Sequence, residues 1–239
     1  DMKIIYEKEG TAVTAECGGR ERIDFINNGL AASCCNKLFK KEVLKESKFS
    51  EGKVNEDLAV VLPIIIKAKK VSYEKSVAYN YIQRENSIQN SKISDKRFDI
   101  FYGVDLTLSR IKGCKDYEDY AASIVFQQLV TLFLYVFCNE KNFFRRCKWF
   151  RKYAKMIKSY HILKNKYYKE FLETAGTKHK IYYSILLKCI DLRLSILSAF
   201  LVDIYRIGKK IIVKNVIKKN IDLELLKKRA IRQSKLQSK

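Results

Sequence analysis

The chain has 239 residues and a mass of 28.0 kDa, and 47% of its residues are hydrophobic, enough to bury a core and to exclude a globally disordered polypeptide. Lys and Arg number 48 against 26 Asp and Glu, a formal net charge of +22, so the partners that suit it are anionic: nucleic acid, an acidic membrane surface or acidic substrates. Seven cysteines without a Cys-x-x-Cys pair, and only His161 and His179 as imidazoles, argue against a zinc site and a secreted disulfide framework and predict buried, unpaired thiols in a reducing compartment.

Taken in order, Asp1-Met2-Lys3-Ile4-Ile5 reads as a strand, entered without an initiator methionine in first position. Gly18-Gly19 lacks a GxGxxG or P-loop context and reads as a turn. A short helix near Glu21 to Asn28 stops at Gly29, and a small, apolar approach from Ala31 leads to Asn36-Lys37 and a helix-like segment through Glu46. A turn at Gly52 then leads to Asn55, a predicted N-cap, and to the adjacent acids Glu56 and Asp57, which open a helix ending near Lys70. Acids at a helix start have a structural explanation, complementing the helix dipole by roughly 0.3–1 kcal/mol each, and such a position predicts a low carboxyl pKa. The only proline, Pro63, falls inside this helix and predicts a kink, or a break near Val61. The run Leu58 to Ile66 is too short to span a bilayer and reads as core. Val71 to Gln83, rich in β-branched and aromatic residues, reads as two strands or one bent strand.

From about Phe98 the pattern is helical almost to the end. Ala121 to Cys138 lies near the lower length limit for a membrane span, but Gln127 and Gln128 sit at its centre, which favours a buried bundle helix while leaving the span open. Ile181 to Ile207, interrupted by Lys188, Asp191, Arg193 and Asp203, reads as an amphipathic helix or helix pair. Between these, Lys141 to Lys180 carries 13 Lys or Arg against Glu170 and Glu173, interleaved with aromatics from Phe143 and Trp149 to Phe171. The tail from Lys209 to Lys239 adds 11 Lys or Arg against Asp222 and Glu224. Basic, aromatic helices suit an anionic membrane surface, with rings at headgroup depth. Nucleic acid stacked on aromatics in a basic groove is the rival, and a solvated basic bundle face is the plain structural alternative.

The order Asn36-Lys37-Leu38-Phe39, then Phe49 and Glu51-Gly52 before Glu56-Asp57-Leu58, then Tyr79-Asn80-Tyr81 with Arg84 and Ser87, resembles the second half of family 2 glycosyltransferases, in particular the bacterial enzymes of capsule, O-antigen and exopolysaccharide synthesis. The resemblance covers roughly residues 1–90. It implies the acceptor-side part of a GT-A-like catalytic domain over 1–92; with the helical pattern beyond it, read as a helical region over 93–208 and a basic helical tail over 209–239, the fold class is α+β, mostly helical. It implies Asp57 as the base, Glu56 as its orienting partner or an acceptor contact, and Asn36 and Lys37 at the acceptor floor, with Lys37 alternatively pairing with Glu56. Arg84 would approach the donor diphosphate with Ser87 beside it, or lie on the surface. The family's Val-Pro-x-Tyr-Asn strand and Asp-any-Asp metal motif do not occur here, so the chain reads as the C-terminal portion of a longer enzyme, inactive alone. The divalent metal, Mg or Mn, would be held outside it, and no metal ligand is assigned to this chain. The partners implied are a nucleotide-sugar donor, a saccharide or polyprenyl-linked acceptor and the anionic inner face of the cell membrane, with nucleic acid ranked behind them. A basic membrane-surface or nucleic-acid module without catalysis is the alternative.

Overall fold

The computed structural model describes residues 3–4, 13–15, 32–45, 47–69, 71–73, 81–82, 93–174 and 177–210. Strand β1 (Lys3–Ile4), β2 (Val13–Ala15), β3 (Val71–Tyr73) and β4 (Tyr81–Ile82) form two antiparallel pairs, β1 with β4 and β2 with β3. Val13 lies opposite Tyr73 and Ala15 opposite Val71. The two segments expected as strands around Val71–Gln83 thus pair with the start of the chain. The fold is otherwise mostly helical. The predicted helix near Glu21 to Asn28 and the turn at Gly18-Gly19 lie outside the described residues.

After a single-turn helix α1 (Lys41–Leu44), the first long element is α2 (Leu58–Lys67), buried on nearly every side, as an all-apolar sequence requires. One expectation fails at this helix, and of the two outcomes expected at Pro63 the break does not occur. Asn55 is not its N-cap: it adopts a left-handed backbone (φ 64) and its carbonyl accepts from the Leu58 N–H at 3.3 Å, so Glu56 and Asp57 lie in a turn ahead of the helix. Nor does Pro63 break it, since the helix runs unbroken from Leu58 to Lys67. Proline removes the N–H that would bond the carbonyl four residues earlier, that of Ala59. In its place a guanidinium N–H of Arg110, on helix α3 (Asp99–Ile111), donates to the Ala59 carbonyl, and a second donates to Lys48 O at 3.2 Å. The two helices approach closely where Gly103 faces Leu58, since a Cβ at Gly103 would lie 3.2 Å from Leu58 Cδ2.

From α4 (Tyr117–Val125) the chain continues through a π-helical turn (Phe126–Val130), α5 (Thr131–Tyr135) and a 3-10 turn (Phe137–Asn139). Among the described residues Tyr117–Asn139 is the one helical run long and apolar enough to cross a membrane, yet Ile124, Leu129, Phe133 and Phe137 are buried within the protein. The π turn takes in Gln127-Gln128 and disturbs the carbonyl ladder. Thr131 Oγ1 donates to Gln127 O, and the buried Tyr153 hydroxyl donates to Leu129 O at 3.0 Å.

Helix α6 (Phe143–Ile157) is capped by Asn142, whose Oδ1 accepts from the Arg145 N–H at 2.9 Å. Here the expectation of aromatics at a membrane interface is overturned for the rings at its centre: Trp149, Phe150 and Tyr153 are buried, and Phe133 packs against both Phe150 and Tyr153 with ring centroids about 4.9 and 4.8 Å away. Spacing explains it. Trp149, Phe150, Tyr153 and Ile157 fall on one helical stripe and take the apolar contact that a bilayer would otherwise give, while Arg145, Lys148, Arg151 and Lys155 stay in solvent. Tyr167 is buried as well.

Helices α7 (Tyr167–Thr174), α8 (Thr177–Asp191) and α9 (residues 195–210) complete the bundle, so Ile181 to Ile207 is a helix pair. Helix α8 ends with Leu194 N–H bonded to Cys189 O (2.8 Å) and Arg193 N–H to Ile190 O (2.9 Å), leaving Arg193 in the left-handed conformation (φ 60) that usually selects glycine. One apolar core runs through the helices, and Leu58, Val61 and Leu62 of α2 share it with Phe101 and Val104 of α3. Of the thiols, Cys138, Cys147 and Cys189 are buried, but Cys34 and Cys114 are half-buried and Cys35 is exposed, so burial does not describe them all.

Arg146, on α6, is fully buried, with Nη1 donating to Glu140 O (2.6 Å), Nη2 donating to Ala199 O (3.2 Å) and an ion pair to Asp203 on α9. Arg206 reaches the same place, with bonds to Glu140 O (3.1 Å) and Cys138 O and a carboxylate contact to Asp203 at 3.7 Å. Removing one partner of a buried pair costs most when the group left behind stays dry. Asp203→Asn should therefore cost about 3 kcal/mol, near the low end of that range because Asp203 touches water, whereas Arg146→Met, which leaves a wet carboxylate beside Arg206, should cost roughly half as much. Chemical denaturation of the two variants reads the difference, and equal losses would contradict the argument. At the proline, Arg110→Ala should cost about 1–3 kcal/mol by orphaning the Ala59 carbonyl. Pro63→Ala restores a backbone donor to that carbonyl, so the double variant should lose measurably less than the sum of the single losses.

Candidate functional site

The best-defined cluster of titratable groups outside the core forms where the turn at Cys34–Lys37 meets the turn before α2. The first turn is closed by Lys37 N–H to Cys34 O at 3.2 Å. Lys37 folds back over it, its Nζ donating to Ser33 O and to Asn36 Oδ1, each at 2.7 Å. Asn36 thus orients the ammonium through its side-chain oxygen.

The second turn is held by α3. Asp99 Oδ2 accepts from the Val54 N–H and Oδ1 from Lys53 Nζ, both at 3.1 Å, and the carboxylate is shielded on most of its surface. Gly52 (φ 71) and Asn55 (φ 64) supply the left-handed residues that the reversal requires. Asp57 sits at the helix boundary with its carbonyl accepting from Val61 N–H at 2.8 Å and Val60 N–H at 3.0 Å. Its side chain makes no capping bond, and it is half-buried while Glu56 is exposed.

The electrostatics run opposite to the low pKa expected of a helix-start acid. Burial pushes the Asp57 carboxyl up, and the like charge of Glu56 pushes it further; the backbone N–H groups of Cys34, Leu58 and Asp57 itself pull it back without reversing the direction. The Cys34 thiol is raised by burial and then by Asp57, so it stays protonated. Burial lowers the Lys37 ammonium, while Cys34 and Asp57 favour its charged form. The field of Asp57 thus reaches Lys37 across the two turns, behind burial and Cys34 in its effect. A partly dry carboxyl with a raised pKa beside a partly dry ammonium is suited to taking and returning a proton.

Of the six residues singled out from sequence, the structure brings Asn36, Lys37, Glu56 and Asp57 together around these turns; Arg84 and Ser87 lie outside the described residues. Three contributors were missed. Cys34 carried no signal beyond its neighbour Cys35, whereas Asp99 and Arg110 stand on the small and polar stripe Asp99, Gly103, Thr107, Arg110 of α3, a helical spacing visible in the sequence. Among the described residues no three His, Cys, Asp or Glu side chains are grouped to hold a metal ion. Comparison with family models, curated proteins and solved structures finds no match to this chain.

An acid whose pKa is higher folded than unfolded holds its proton more tightly in the folded state. Its contribution to stability is then lost as pH rises from the unfolded carboxyl value, about 3.9, through the folded one. Asp57→Asn removes that loss and still offers the Cys34 N–H an acceptor. The variant should melt above the parent at pH about 7 and match it below about 3, where Asp57 is protonated in both states. Thermal melts across that range test the sign, and a variant less stable than the parent at neutral pH would show that the Asp57 charge stabilises the fold.

Proposed function

We propose that this chain is the acceptor-side part of an inverting, family 2-like glycosyltransferase. The enzyme would transfer a sugar from a nucleotide-sugar donor to a saccharide acceptor carried on a polyprenyl lipid, in surface polysaccharide synthesis. The observation that carries the reading is the position of Asp57: half-buried, raised in pKa, and close enough to the Cys34–Lys37 turn to favour the charged form of Lys37. The ordered motif set from Asn36 to Ser87 supports it from the sequence side.

Inverting transfer requires a base to take the acceptor hydroxyl proton as the anomeric carbon is attacked, and positive charge to stabilise the departing diphosphate. Asp57 is the base. Glu56, exposed beside it, raises its basicity by like-charge repulsion and contacts the acceptor. Lys37, oriented by Asn36, holds Asp57 in place and offers a positive neighbour to the acceptor hydroxyl as it loses its proton. Arg84, with Ser87, serves the diphosphate. The nucleotide-binding half of GT-A architecture, with its metal-holding carboxylates, belongs to sequence that this chain does not contain, and the Mg or Mn there would neutralise the diphosphate. The place of work is the cytoplasmic face of the cell membrane, where polyprenyl-linked acceptors are presented.

In the enzyme carrying both halves, Asp57→Asn should lower the transfer rate by about 10²–10⁴-fold, the usual worth of a positioned base, while donor binding stays unchanged. Glu56→Gln should cost less. Transfer at parental rate in Asp57→Asn would remove Asp57 from the mechanism.

A further inference from the structure

Helix α9 has two apolar faces, and the core uses one. Ser195, Ser198, Ala199 and Val202 are buried against the bundle. On the opposite side Ile196, Leu197, Phe200, Ile204 and Ile207 form a second stripe at helical spacing, with Ile196 62% and Phe200 55% exposed. At its start the stripe borders an open groove of about 600 Å³ between α6 and the α8–α9 turn. The groove floor is apolar, Phe143, Leu194 and Phe200, and the charged groups on its wall are all cations: Arg151, Lys155 and Arg193. None of the three makes an ion pair among the described residues. Arg193 sits at a left-handed position (φ 60) that glycine would adopt without strain, so its side chain comes at a local backbone cost.

We propose that this face of α9 docks on an anionic lipid surface, the aliphatic stripe entering the headgroup and acyl boundary while Arg151, Lys155 and Arg193 meet lipid phosphates. Charge selects the partner. A second copy would bring another +22 chain against the same three cations, and the segment 209–239, with 11 Lys or Arg against two acids, would do likewise. A single-stranded nucleic acid would satisfy the cations but would find Phe200 as the one ring of the stripe, leaving the aliphatic Ile196, Leu197, Ile204 and Ile207 without a stacking role. An amphipathic helix lying in the interface, apolar on one side and cationic at its edge, has the composition that anionic bilayers retain. The sequence pointed to an anionic membrane too, but through the aromatics of residues 141–180; the exposed side chains place the contact on α9. The inference does not depend on Asp57.

The full chain is floated with vesicles of pure phosphatidylcholine and with vesicles of phosphatidylcholine and phosphatidylglycerol in equal parts. Binding is expected to the second only. A protein this basic adheres to any anionic surface, so the deciding variants act on the stripe. Ile196→Ser with Phe200→Ser and Ile204→Ser should reduce partitioning at least tenfold and leave the remainder salt-labile, and F200W should show a blue-shifted indole that brominated lipid quenches. Arg193→Gly should raise the melting temperature and weaken binding together. Asp57→Asn should float like the parent, which separates this surface from the transferase reading. Unchanged flotation of the triple variant, or an F200W indole that stays solvent-exposed on bound vesicles, would overturn the proposal. Binding of an acidic amphipathic peptide to the stripe without any vesicle binding would also overturn it.

Discussion

The second turn of the candidate site and the start of α2 hang from one face of α3. The segment 48–57 has no long helix or strand of its own, so its backbone must be fixed from outside. Asp99 binds it at the Val54 N–H and the Lys53 ammonium, Gly103 lets Leu58 approach the helix axis, and Arg110 ties Lys48 O to Ala59 O. These residues recur every three or four positions, so a single rigid helix holds both ends of the loop in register. Pro63 makes the arrangement obligatory. By withholding a donor inside α2 it leaves a buried carbonyl that only a side chain can satisfy, and the side chain that does so also anchors the loop.

A second cluster does the corresponding work at the far end of the bundle, where Arg146 and Arg206 converge on the carbonyls that close the 117–139 run and on Asp203. The Glu140 carbonyl accepts from both guanidinium groups, and carbonyls at the end of a helical run are the groups left without intrahelical donors. A fully buried arginine is costly unless its donors are used, and two of its nitrogens meet carbonyl or carboxylate oxygens. This network fixes α9 against α6 and thereby decides which face of α9 turns inward. The stripe that remains outside is a consequence of that choice.

Much of this was legible in the residues. The helical character beyond Phe98, the helix pair over Ile181 to Ile207 and the core role of Leu58 to Ile66 follow from apolar periodicity, which packing rarely overrules. The proximity of Asn36-Lys37 to Glu56-Asp57 came from motif order; their charge states did not. Three readings failed for tertiary reasons. Pro63 was judged by its own helix, but its freed carbonyl is satisfied from another. Asn55 was judged by capping preference, but the Asp99 clamp on Val54 fixes the chain entry and places Asn55 in a left-handed turn. The aromatics of α6 were judged by their basic neighbours, whereas their spacing had already put Trp149, Phe150 and Tyr153 on the inward stripe. Composition averaged over 40 residues concealed a face that position resolves.

The acid pair is where the structural and chemical explanations separate. An acid retained to complement a helix dipole should lie low in pKa and bond the first helical N–H groups, so that its charge stabilises the fold. Burial together with Glu56 raises the pKa of Asp57 in spite of the backbone N–H groups of Cys34, Leu58 and Asp57 itself, so its charge opposes the fold instead. Glu56 aggravates this by lying beside it. Sequences tend to break local rules of this kind at sites where chemistry needs the offending group. The dipole explanation makes Asp57 a stabilising residue and the chemical one makes it a tolerated liability; the direction of its pKa favours the second.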